Sequence, residues 1–212
     1  MTARVSWADK QQSSAAGVVV WLAPADPAAS ATVAPAPPAQ PPRLVQRNKT
    51  FVPHLLVVPV GSLVEFPNDD PFFHNVFSLF EGKRFDLGLY EAGTSRQVRF
   101  SKPGVSYIFC NIHPEMSAVV IAVPTSYYAT SDAQGQIVMP GVSAGRYLMH
   151  LWHEGASPEY LESLTREITV TENSSTLGIL RIKPAGVLPP HKNKYGRDYE
   201  PPTPSGPGYE QQ

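Results

Sequence analysis

Apolar residues in this chain fall into short runs and period-two alternations, broken every few positions by Pro, Gly, Asn or Asp. That pattern predicts β-strands, whose successive side chains point to opposite faces. Gly17-Val18-Val19-Val20-Trp21-Leu22 is a strand-sized run and reads as the first strand. Leu44-Val45-Gln46 and Leu55-Leu56-Val57-Val58 follow, and Gly61-Ser62 marks a turn into Leu63-Val64-Glu65-Phe66. Gly104-Val105-Ser106-Tyr107-Ile108-Phe109-Cys110 is another strand, and residues 136–139, 146–153, 167–170 and 177–182 carry strand character further on. No segment shows a convincing helical period. The predicted class is all-β.

The punctuation between these runs suggests the organisation. Residues 23–42 are rich in Pro and Ala and include Ala34-Pro35-Ala36-Pro37-Pro38-Ala39-Gln40-Pro41-Pro42, which predicts an exposed, extended loop. Residues 184–212 are rich in Pro, Gly and polar residues and read as a flexible tail or a segment that wraps another surface. With 212 residues there is room for one domain of ordinary size and a smaller one. A hydrophobic share of 42% supports buried cores, while a net charge of −1 without a basic run argues against nucleic acid as a partner. No apolar stretch approaches the length of a membrane span. Met1-Thr2-Ala3-Arg4 does not lead into the apolar centre of a signal peptide.

The chemistry concentrates in Phe109-Cys110-Asn111-Ile112-His113-Pro114-Glu115-Met116. Cys110 is the only cysteine, so it forms no disulfide within the chain. A soft thiolate, a borderline imidazole and a weak thioether within seven residues suit copper, in particular an ion cycling between Cu(I) and Cu(II). A trigonal site needs a second histidine, and His74 in Asp70-Pro71-Phe72-Phe73-His74-Asn75-Val76-Phe77-Ser78 is the candidate. Zinc uses the same Cys-x-x-His spacing, but its structural sites want four closed ligands and usually more cysteines. A nucleophilic Cys-His pair is the other alternative, although nothing else resembles a cysteine hydrolase motif.

Residues 44–123 resemble the cupredoxins, the small blue-copper Greek-key β-sandwich. Gly61 to Phe66 lead into His74-Asn75-Val76 as that family's first ligand histidine is presented. Glu91-Ala92-Gly93-Thr94 and the strand ending at Cys110 resemble the approach to its ligand loop. Two residues separate Cys110 from His113 and two separate His113 from Met116, similar to the short amicyanin-like form of the loop. The resemblance implies one copper per chain, held by His74, Cys110, His113 and Met116. It implies that Asn75 ties the two ligand loops together by hydrogen bonding. Backbone N–H groups around Asn75 and Asn111 are expected to donate to the sulfur. Phe72, Phe73 and Pro114 flank the ligand histidines as copper shield, docking patch for a redox partner near His113, or both. Residues 79–90 resemble the family's variable crossover. The implied function is outer-sphere transfer of single electrons without enzymatic turnover, in a periplasmic or exported bacterial protein. The alternatives are a non-carrier copper-binding or delivery protein, an interaction module in which the second domain does the binding, or a red or type 2 site recruiting Glu115.

Residues 131–147, with Asp132-Ala133-Gln134-Gly135 and Pro140-Gly141 as turns, resemble the carboxypeptidase-regulatory-like module, a small transthyretin-type β-sandwich. The expected domains are therefore 14–123 for copper, including the 23–42 insertion, 124–183 for the module, and 184–212 for the tail. His150 and His153 lie three apart in a predicted strand and point to opposite faces, which disfavours a second metal site. His54 reads as a surface residue.

Overall fold

A computed structural model describes residues 1–8, 14–26, 38–79, 82–183 and 191–199. Its regular secondary structure is almost wholly strand. The first six are β1 (Thr2–Trp7), β2 (Val19–Pro24), β3 (Val45–Arg47), β4 (Thr50–Val52), β5 (Leu55–Pro59) and β6 (Leu63–Pro67). Next come β7 (His74–Ser78), β8 (Phe85–Tyr90), β9 (Ser95–Arg99), β10 (Gly104–Cys110) and β11 (Ser117–Val123). The last are β12 (Tyr128–Thr130), β13 (Gln136–Val138), β14 (Gly145–Trp152), a six-residue helix α1 (Pro158–Ser163), β15 (Arg166–Val170) and β16 (Thr176–Ile182).

Two compact units interleave along the chain. One comprises Met1–Pro35 and Thr125–Pro189, the other Ala36–Pro124 and Pro190–Gln212. The expectation places residues 14–35 with the copper domain, whereas this division groups them with Thr125–Pro189. β2 pairs with β12 and β14, so the Val18–Leu22 run belongs with the C-terminal strands rather than with residues 36–124. An isolated apolar run carries no mark of its pairing partner, which tertiary context supplies. β1 lies outside the predicted strands, yet it alternates as a strand should: Ala3 and Val5 are buried while Thr2 and Arg4 are exposed. It lies between β13 and β16.

α1 is a second departure from the reading. Ser157 caps it by accepting from the Tyr160 N–H, and Pro158 occupies the first turn, where a missing N–H costs nothing. A helix this short shows too few turns for a period to appear.

In the other unit the main sheet runs β5-β11-β10-β7-β8. β6 pairs with β9, and single bridges join Arg43 to Glu65 and Gln46 to Asn68, bringing the β3–β4 hairpin beside β6. Between these layers lies an apolar cluster that includes Leu44, Phe66, Val76, Phe100, Ile108 and Val120. β7 is buried along its whole length because it is an interior strand, flanked by β10 and β8. Gly61 makes the turn from β5 into β6 at φ +93°, a region that side chains other than hydrogen disfavour. In the expected crossover, residues 85–90 form β8, which pairs with β7. Of the expected 23–42 insertion, residues 27–37 lie outside the described residues. So do residues 184–190 and 200–212 of the expected tail, but residues 191–199 are described and hydrogen-bonded.

Candidate metal centre

The centre sits where β7 begins and β10 ends. Antiparallel pairing sets Phe109 opposite Phe77 and Cys110 opposite Val76, which brings the first residue of β7, His74, to the end of the Cys110 strand. The loop after Cys110 returns through Ser117 opposite Phe109. The Met116 N–H donates to the His113 carbonyl at 3.1 Å and the Cys110 N–H to the Met116 carbonyl at 3.3 Å. These bonds fold the loop tightly enough for residues three apart to share one site.

Three donor atoms converge there. Cys110 Sγ lies 3.6 Å from His74 Nδ1 and 3.7 Å from His113 Nδ1, and the two nitrogens are 3.2 Å apart. A point equidistant from all three is about 2.0 Å from each, close to the bond lengths of a first-row metal to nitrogen and sulfur. Cys110 and His74 are buried and His113 is half-buried. Among the described residues this is the one cluster of three or more His, Cys, Asp and Glu donors that could hold a metal. The donor set and its triangle fit a copper ion.

The orientation of His74 is built from a distance. Asn48 and Lys49 both have positive φ, 53° and 54°, as the two central residues of a type I′ hairpin turn do. Their backbone N–H groups donate to the Asp70 carboxylate at 2.5 and 3.0 Å. Asp70 in turn accepts from His74 Nε2 at 2.8 Å, both side chains being buried. Burial pushes the Asp70 carboxyl up, but the Lys49 and Asn48 N–H groups and His74 outweigh it, and its pKa falls below the usual value. Burial dominates on His74 and lowers its pKa despite Asp70, so the pair is a carboxylate and a neutral imidazole. With the proton on Nε2, the Nδ1 lone pair is left to face the centre.

The sulfur is held similarly. Burial raises the Cys110 pKa, against the backbone N–H groups of Asn75, Ile112 and His113, which favour the thiolate. Backbone donors thus stand around both expected positions, Asn75 at the first and Ile112 and His113 beside Asn111 at the second. The Asn111 N–H itself goes to the Asn75 carbonyl at 3.3 Å. Asn75 ties the two loops with its backbone, while its side chain donates to Asp86 at 2.6 Å. His113 is shifted down by burial and then by His74. The Phe72 ring lies 5.2 Å from that of His74 and 5.6 Å from that of His113, whereas Phe73 and Ile112 are 44% and 43% exposed.

Met116 is fully buried in the same apolar cluster as Cys110, and Glu115 is exposed. His54 is exposed, as expected, and bonds the Ser117 carbonyl. His150 stacks on Trp21 and His153 meets Trp7 edge-on, each in the unit without the cluster. Residues that the sequence reading did not assign include Asp70, Asp86, His191, Lys194 and Tyr199. Only Asp70 carried a signal, four residues before the candidate histidine.

No protein-family model matches this sequence, and no curated protein matches it. Solved structures similar to it include a purple cupredoxin from Nitrosopumilus maritimus, 24% identical, over 39% of this chain and 99% of that one, with a TM-score of 0.36. A copper-containing nitrite reductase from Thermus scotoductus SA-01 is 26% identical over 47% of this chain, at a TM-score of 0.38, and the match spans only 27% of the reductase. A Cu(I) amicyanin variant is 19% identical over 49% of this chain and 98% of its own, at a TM-score of 0.37. At such scores the superpositions carry no functional argument, which rests on the side chains of the centre. About half of this all-β chain thus has cupredoxins among its structural neighbours.

Proposed function

We propose that this chain is a type 1 copper protein that passes single electrons, with His74, Cys110 and His113 as in-plane donors and Met116 as a weak axial one. The observation that carries the reading is the buried triangle of two imidazole nitrogens and one thiolate sulfur, sized for a single ion. Bound copper would supply a Cu(I)/Cu(II) couple. The protein's part is to keep the donors still: Asp70 fixes the His74 tautomer, three N–H groups hold the sulfur, and the core locks Met116. Donors fixed in this way need little rearrangement when the charge of the centre changes, which favours rapid electron exchange. Four protein donors would leave no open position for a substrate, so we read a carrier rather than an enzyme. The exposure of Glu115 speaks against its use as a hard ligand. His113, half-buried beside exposed Ile112 and Pro114, is the donor we assign to face a redox partner.

Titration of the metal-free protein with Cu(II) tests this. Saturation at one equivalent with an intense blue or green thiolate band is expected, and Cys110→Ser should abolish the band. A colourless complex, or a second tight equivalent surviving in Cys110→Ser, would sink the assignment. Met116→Gln should keep copper and colour but lower the reduction potential, because an oxygen donor favours Cu(II). An unchanged potential would remove Met116 from the ligand set.

A further inference from the structure

Residues 191–199 fold onto the metal-centre unit, and their polar atoms meet the ligand loop at three points. His191 Nε2 donates to the Pro114 carbonyl at 2.6 Å, the Lys194 N–H donates to Asn111 Oδ1 at 3.0 Å, and the Tyr199 hydroxyl donates to the Cys110 carbonyl at 2.8 Å. A fourth connection is indirect. Lys194 Nζ pairs with Asp86 at 2.8 Å, and Asp86 accepts from the side chain of Asn75, whose backbone serves both Cys110 and Asn111. Stacking adds apolar contact: the His191 ring lies 4.0 Å from that of Phe109, and Tyr199 meets His191 edge-on at 5.2 Å.

The segment has its own internal order. Asn193 Oδ1 accepts from the Tyr195 and Arg197 N–H groups, and the Asn193 N–H donates to the Arg197 carbonyl at 2.8 Å. A turn held in this way brings its donors to the loop already arranged, so little conformational entropy is lost in docking them. The ligand loop's own bonds run from Met116 to His113, Cys110 to Met116, Asn111 to Asn75, and from the Ile112 and His113 N–H groups to the Cys110 sulfur, none of them to the Cys110 or Pro114 carbonyl. Without residues 191–199, the Cys110 and Pro114 carbonyls would lose these protein donors.

We propose that residues 191–199 are a clamp that positions the ligand loop, with Tyr199, His191 and Lys194 as its positioning residues. The clamp holds Cys110 and His113 in one arrangement with or without the metal. The part of this that concerns electron exchange rests on the type 1 reading, and the part that concerns the metal-free loop does not.

The test uses the full chain with Tyr199→Phe and His191→Phe, which keep the rings and remove the donors, and Lys194→Met. In the metal-free protein, hydrogen exchange of the Asn111 and Met116 amides should quicken roughly fivefold in each variant, the factor expected for one lost hydrogen bond. The Leu22 and Met149 amides in the other unit should not change. His191→Asn, which restores a side-chain N–H donor, should recover part of the protection. In the copper-loaded protein, Tyr199→Phe should alter the copper hyperfine splitting and slow electron self-exchange, readouts that a merely lower melting temperature would not move. Loop amides that exchange at the parental rate in all three variants would overturn the clamp. So would faster exchange spread evenly over the unit. A colourless protein whose loop amides still respond would leave the clamp standing and remove the type 1 reading. A coloured protein with unresponsive amides would do the reverse.

Discussion

Four of the six histidines have lowered pKa values, two in each unit, and their fates differ for reasons other than burial. Burial is the largest cause of a lowered pKa at His74, His113, His150 and His153 alike. At His74 and His113, the Nδ1 atoms converge on each other and on a sulfur. At His150 the ring lies flat on Trp21, 5.1 Å away, and Nδ1 faces the Thr165 hydroxyl. His153 meets Trp7 edge-on and accepts the Gly155 N–H. A metal centre therefore requires lone pairs aimed at a common point, with a soft donor among them. Low exposure of a titratable ring is compatible with ordinary packing.

The comparison breaks most sharply under paired deletion. His74→Ala should abolish tight copper binding and colour, whereas His150→Ala and His153→Ala should leave stoichiometry and spectrum unchanged. Loss of the visible band in either of the latter would mean that the two sets are not separate. A smaller effect isolates orientation from ligation. Asp70→Asn keeps every donor but loosens the constraint on the His74 tautomer and should weaken copper affinity about tenfold, the low end for changes next to a ligand. Equilibrium competition with a chelator measures this, and affinity equal to the parent's would make the Asp70 bond incidental.

The smallest expected effect concerns pH. His150 and His153 have pKa values held below the ordinary 6.5, so the folded state prefers the neutral rings and the unfolded chain binds protons more readily. Their contribution to stability is fully present above pH 6.5 and is lost as pH falls through the lower folded values. Denaturant midpoints of the parent and of a His150→Phe/His153→Phe double variant should converge or cross as pH drops from 7 towards 5. Parallel midpoints across that range would count against these two rings as acid-sensitive groups.

Much of this was legible in the sequence because it is written locally. Strand alternation gave the all-β class, and the spacing from Cys110 to Met116 sits within one loop, where geometry follows from sequence distance. The pairing of β2 was not legible, since its partners lie more than a hundred residues away and an apolar run is equally at home in either sheet. Asp70 stood four residues before His74, but its role depends on a turn at Asn48 and Lys49 that only the β3–β4 hairpin brings near. Residues 191–199 read as flexible tail or as a segment that wraps another surface, because their composition is polar. What orders them is a set of acceptors on another loop, and composition does not report acceptors elsewhere.

The order in which the two units alternate along the chain bears on how the protein is made. The two units alternate as residues 1–35, 36–124, 125–189 and 190–212, so a ribosome delivers all four proposed copper donors well before the residues that clamp their loop. β2 likewise waits for β12 and β14 until the whole central unit has emerged. A nascent chain halted after β11 would therefore present the donors without the clamp. Hydrogen exchange of the loop amides in stalled chains of increasing length would show the step at which the loop gains its protection, and the clamp predicts a gain once residue 199 has emerged.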